Sequence, residues 1–142
     1  PAASSIAALN SLTIAHLTGD AAARERTERT LARYGPRAGA AGRTIPMMLC
    51  ALSGWHAGYS QIVIAGAGVN AEELRAEVAR HYLPFAIVIP VAPGPRQAEL
   101  GRLLPFTAAM SGGTGPAAAY VCRDFTCRQP VSTIEDLARE LA

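Results

Sequence analysis

The apolar positions of this chain change period close to residue 58. Before that point they recur at helical spacing; after it they come in short continuous runs separated by polar, helix-like segments. Ile6, Leu9, Leu12, Ala15 and His16 fit one helix, opened by Ser4 or Ser5 as its cap and stopped by Gly19. Asp20 caps a second helix to about Tyr34, with Ala23, Thr27, Leu31 and Tyr34 on one side and Gly35-Pro36 as its end. After a flexible link over 37–43, Ile45-Pro46 opens a third helix, from Met47 to about His56, apolar on most sides.

Beyond Gly58 the runs Gln61–Ala65, Phe85–Ile89 and Ala117–Cys122 read as buried strands. Asn70-Ala71-Glu72-Glu73 reads as a capping box opening a helix to about His81. Pro95 to about Leu104 reads as a second crossover helix, and Ser111–Pro116 as a mobile Gly-rich connector. Ser132 or Thr133 caps a last helix, Ile134–Leu141. The expected fold is α/β: a helical arm over residues 1–58, then a small three-layer βαβαβα module over 59–142 with a mostly parallel sheet.

Composition narrows the function classes. The 142 residues are 50% apolar and 17% charged, ordinary for a globular chain. All thirteen basic residues are Arg, which together with the Ala content reads as codon bias. A formal charge of +2, with no stripe of Arg interleaved with aromatics, argues against nucleic acid as a partner. No apolar run approaches the roughly 20 residues that span a bilayer, so no membrane partner is expected. Three cysteines, an odd and low number, fit a reducing, cytoplasmic setting. A chain that begins at Pro1 reads as a segment of a longer protein lacking its N-terminal part.

Four features carry candidate chemistry. Gly66-Ala67-Gly68-Val69-Asn70-Ala71 fits G-x-G-x-x-A between a strand and a helix, the context of a dinucleotide loop. No acid ends the following strand to meet a ribose, and Glu73 is placed to fold back where a phosphate would sit, so a structural turn is the first reading and a ligand loop at Gly66, Gly68 and Asn70 the second. Cys122 and Cys127, five apart, match neither C-x-x-C nor a zinc knuckle. They read as packed thiols beside a turn, as a redox pair across a hairpin whose four-residue loop is Arg123–Thr126, or as metal ligands joined by Cys50 or a His. His16, His56 and His81 lie on three helices without a carboxylate or Cys at ligand spacing. Trp55 and Tyr59 are expected to pack between the two parts. No cofactor and no metal is expected.

The stretch Tyr120-Val121-Cys122-Arg123-Asp124-Phe125-Thr126-Cys127-Arg128-Gln129-Pro130, with the N-terminal helices, Pro46-Met47-Met48-Leu49 and Gln61–Gly66 in order, resembles the C-terminal region of thioredoxin-domain proteins related to spermatogenesis-associated protein 20. The likeness extends over essentially the whole chain. It implies that residues 1–58 are the last helices of an (α/α) toroid similar to N-acylglucosamine 2-epimerases and six-hairpin glycosidases, and that 59–142 are the terminal α/β piece. It implies a structural and interaction role, with the missing N-terminal portion as partner. A detached arm exposes apolar helix faces, so self-association is expected as well. Alternatives are a share in a carbohydrate-acting pocket through Ser4, Ser5 and Asn10, a nucleotide-binding module, and a thiol–disulfide role. Where the family tends to have Ser-Gly-Asn-Ser after the Pro, this chain has Ala2-Ala3-Ser4-Ser5.

Overall fold

The computed structural model describes residues 2–113 and 115–142; of the features discussed above, Pro1 and Thr114 lie outside the described residues. The chain forms two compact units, Pro1–Tyr59 and Ser60–Ala142.

The first unit is three helices, α1 (Ala3–Thr18), α2 (Ala21–Ala41) and α3 (Pro46–Ala57). Its core is small: Ala8 of α1, Leu31 of α2, and Met48 and Ala51 of α3, with Leu9, Tyr34, Leu52 and Trp55 packed around them. Gly19 ends α1 in the left-handed region (φ 71°), its N–H donating to Ala15 O at 3.0 Å. Asp20 then caps α2, Oδ1 accepting from Ala22 N at 2.8 Å and Ala23 N at 3.1 Å. Two boundaries differ from the sequence expectation. α1 starts at Ala3 on an uncapped Ala2, so Ser4 and Ser5 lie inside its first turn. α2 does not stop at Gly35-Pro36 but runs through Pro36 to Ala41. A proline ring normally clashes with the Cβ of the residue before it, and Gly35 has none, so the chain stays helical at the loss of one backbone hydrogen bond. Trp55 and Tyr59 both find partners inside this unit: Arg24 sits 5.4 Å from the Trp55 ring centre, and Tyr59 stacks on His16 with ring centres 4.9 Å apart.

The second unit is an α/β fold. Its strands are β1 (Ser60–Gly66), β2 (Ala86–Val91), β3 (Ala117–Arg123) and the two-residue β4 (Thr126–Cys127), in sheet order β2-β1-β3-β4. β1 and β2 are parallel, with Ile62 opposite Val88, and are joined through α4 (Val69–Arg80). β3 departs from the expected parallel run: it lies antiparallel to β1, Gln61 opposite Cys122 and Gly66 opposite Ala117. The segment between β2 and β3, holding α5 (Pro95–Leu103) and a 3-10 turn over Pro105–Thr107, returns the chain in the reverse sense. β2 is an edge strand, which is why Pro90 is tolerated in it.

One sheet face carries the core. Ile62, Ile64, Ala117 and Ala119 meet Ala71, Leu74 and Val78 of α4 and Leu137 of α6 (Ile134–Leu141). Side chains alternate along a strand, so Val63, Ala65 and Ala118, also buried, point to the other face. Tyr120 shares that face, and its Oη donates to Ser111 O at 2.8 Å and accepts from Ser111 N at 3.2 Å. Ser111 is therefore tied to β3 and is not the start of a free connector. Thr133 caps α6 as expected, Oγ1 accepting from Asp136 N at 3.1 Å.

Candidate functional site

The chemistry-bearing cysteines meet at the β3–β4 hairpin. Arg123 pairs with Thr126 and Cys122 with Cys127, so the turn is the two residues Asp124 and Phe125, not the expected four. Both turn residues have positive φ, 47° and 61°. That is the signature of the type I′ turn, whose twist matches that of the strands it joins. Neither residue is Gly. An Asp tolerates this region, but a bulky Phe adopts it only when its surroundings hold it there. The sulfurs of Cys122 and Cys127 are joined as a disulfide, with Cα atoms 3.9 Å apart. Of the alternatives open in the sequence, this geometry is that of a covalent cross-strand pair.

The two sulfurs sit in unequal surroundings. Cys122 is fully buried, whereas Cys127 is half-buried beside a cleft of about 270 Å³ lined by Ser60, Val121, Arg123, Thr126, Arg128 and Glu140 among others. Arg128 closes one side: its N–H donates to Val121 O at 3.0 Å and its guanidinium meets Glu140 of α6 at 2.7 Å. At the tip, the Phe125 ring stands edge-on to Phe106, ring centres 5.4 Å apart. Cys50, the third cysteine, is a free exposed thiol on α3.

The loop after β1 brings Gly66, Gly68 and Asn70 together by simple succession. Gly66 is required by packing: at φ +129°, a Cβ would lie 2.4 Å from Pro116 O. Gly68 has φ +76° and open space around it, and serves as the N-cap of α4 without a side-chain bond. The expected capping box is thus not formed. Gly68 turns the chain early, α4 starts at Val69, and Asn70 falls inside the first turn, two residues past the cap position. Residues 67–70 are solvent-exposed.

Ser4, Ser5 and Asn10 are not brought to one place. At about 100° per helical residue, Ser5 turns inward and is buried, Ser4 is half-buried, and Asn10 lies on the exposed far side. What the sequence reading missed is beside Ser4: an open cleft of about 450 Å³ lined by Ser4, Arg26, Arg29, Thr30, Arg33 and Tyr34. The i, i+3, i+4, i+7 spacing of Arg26, Arg29, Thr30 and Arg33 was its signal. Two of these arginines already have anionic partners, Arg29 with Glu25 at 2.7 Å and Arg26 with Asp20 at 3.8 Å.

His81 corrects another expectation. A carboxylate does stand at helical spacing from it: Glu77, four residues earlier, has Oε1 3.0 Å from His81 Nε2 and Oε2 3.1 Å from Arg80. Glu77 is nearly buried on α4, so this cluster is a helix-end lock. His16 lies in the last turn of α1 and is buried. Among the described residues no three His, Cys, Asp or Glu side chains gather in a way that could hold a metal ion. Comparison with protein-family models, with curated proteins and with solved structures finds no match to this chain. Among the described residues, no helix is long and apolar enough to cross a membrane.

Proposed function

We propose that this chain is a non-catalytic structural and interaction module, the C-terminal portion of a cytoplasmic thioredoxin-domain and epimerase-like toroid protein. The observation that supports this best is α1. It buries Ala8, Leu12 and Ala15 on one side, yet carries Ile6 and Ile14 at 38% and 50% exposure on others. A helix apolar in more than one direction suits a position between two helical layers. The preceding hairpins of the toroid are the partner that fits, and without them the same apolar positions drive self-association. The groups most able to do chemistry are already engaged: Cys122 with Cys127, and Glu77 with His81 and Arg80. Ser4, Ser5 and Asn10 diverge around α1, which argues against a carbohydrate pocket built on them.

Light scattering over a range of concentrations tests the reading. Association should be present and should disappear in the double variant Ile6→Glu, Ile14→Glu. A wild-type chain that stays monomeric at high concentration overturns the interaction role.

A second reading, nucleotide binding at Gly66–Asn70, is favoured by one observation. No side chain caps α4, so the helix N-terminus behind an exposed glycine loop is open. Thermal stabilisation by millimolar ATP or NADP that is lost in Gly68→Val would support it; no stabilisation would dispose of it.

A further inference from the structure

We infer that the Cys122–Cys127 disulfide is a redox-opened latch, reduced through Cys127 by an external dithiol, that releases the β3–β4 hairpin while the rest of the α/β unit stays folded. This goes beyond the structural role proposed above and does not depend on the parentage of the chain.

The inference rests on three observations at one place. First, β4 has only two residues, paired to β3 at Cys122–Cys127 and Arg123–Thr126, so few ladder bonds hold the tip once the covalent link is gone. Second, Asp124 and Phe125 are both held in the left-handed region without being Gly, a conformation that each relaxes from when its surroundings let go. Third, the two cysteines differ in access: Cys122 is fully buried in the sheet, whereas Cys127, on the two-residue edge strand, is only half-buried.

The chemistry balances with a dithiol as the only co-reactant. One thiolate of the dithiol attacks Cys127 Sγ, forming a mixed disulfide and breaking the Cys122–Cys127 bond; Cys122 departs with the electron pair and takes up a proton. The second thiol of the reagent, losing its proton, attacks its own sulfur in the mixed disulfide. Cys127 is released as a thiolate and then protonated, and the reagent leaves as a cyclic disulfide. Two electrons and two protons pass from the dithiol to the chain. With the link open, Phe125 leaves Phe106, while the core around Ile62, Leu74 and Leu137, on the opposite sheet face from Cys122, is untouched.

The test uses the full chain carrying Cys50→Ser, so that only the two latch sulfurs report. Alkylation read by mass spectrometry should find no free thiol before, and two after, treatment with dithiothreitol without denaturant. Far-UV circular dichroism should stay constant. Amide hydrogen exchange at residues 123–128 should speed up at least tenfold, with β1 and α4 unchanged. A labelled monothiol added under the same conditions should map to Cys127. In Asp124→Gly, where the turn is free of one left-handed penalty, the reduced hairpin should stay closed longer and the increase in exchange should shrink severalfold. Reduction that requires denaturant, a monothiol adduct on Cys122, unchanged exchange at 123–128, loss of the whole fold on reduction, or sulfurs that remain free thiols after mild oxidation would each overturn the inference.

Discussion

The two units solve the same problem, burial of apolar surface, by opposite means. In Pro1–Tyr59 the core is made by helices that follow one another in sequence, bringing together Ala8, Leu31, Met48 and Ala51. In Ser60–Ala142 the core joins residues as distant as Ile62 and Leu137, fixed by a hydrogen-bonded ladder in which register decides which face each side chain enters. A helix can slide or close up when a side chain changes. A strand in a ladder cannot. The first unit should therefore tolerate change better than the second: a Cβ at Gly39 of the first meets nothing within 4 Å, whereas one at Gly66 of the second meets Pro116 and Ala117.

The strongest test is Gly66→Ala. The new methyl would stand 2.4 Å from Pro116 O and 2.6 Å from Ala117 Cα, on a backbone at φ +129°. Overpacking of about 1–3 kcal/mol adds to about 1–2 kcal/mol for a left-handed L-residue. Urea unfolding should report a loss of roughly 2–5 kcal/mol; a loss below about 1 kcal/mol would mean that β1 and β3 are not locked as described.

Next comes a matched pair, Leu137→Ala in the second unit and Met48→Ala in the first. Both side chains are fully buried. Each deletion should cost about 2–5 kcal/mol, and the amount depends on how far the site can collapse. Around Leu137 the neighbours belong to β1 and β3 as well as α4; around Met48 they include Ala8 of α1 and Leu31 of α2, on helices free to approach. Leu137→Ala should be the costlier of the two by denaturant midpoint. Equal or reversed costs would break the contrast between the units.

The same contrast explains what the sequence discloses. Local signals were legible because they act within a few residues: Gly19 as a left-handed stop, and Asp20 and Thr133 as caps. The α/β class was legible from the change of period after Gly58, whereas the five-residue cysteine spacing left a cross-strand pair as one alternative beside packed thiols and metal ligands. The direction of β3 was not legible, because the run Ala117–Cys122 is equally apolar read either way, and its sense is set by the return path through α5. Nor was the two-residue turn, since Asp124-Phe125 lacks the Gly that normally marks positive φ. The capping box failed because Gly68 starts α4 before Asn70 can cap it. The Glu77–His81 pair was visible as an i, i+4 spacing, but the histidines were judged by metal-ligand spacing and not by helix-face neighbours.

Helix caps bring the comparison down to single hydrogen bonds. Asp20→Ala removes the acceptor for Ala22 N and Ala23 N and should cost about 1 kcal/mol. Asp20→Asn should keep most of it, because the cap needs an oxygen and not a charge. If both substitutions cost the same, the long contact from Asp20 to Arg26 at 3.8 Å, and not the cap, is what matters.

The smallest effect has the opposite sign. Gly35 and Gly39 lie within α2, and a Cβ at either meets nothing within 4 Å. Alanine there restricts the unfolded chain more than the folded one and should stabilise by about 0.4–1 kcal/mol per site. Gly35 is the sharper case, because it precedes Pro36. A methyl group at 35 faces the proline ring, and the relief that lets α2 continue is withdrawn. Gly39→Ala should therefore stabilise, whereas Gly35→Ala should gain less or lose. Differential scanning calorimetry of the two variants side by side separates glycine as mere flexibility from glycine as the device that carries a helix through a proline. An equal gain at both positions would show that the helix passes Pro36 without needing Gly35.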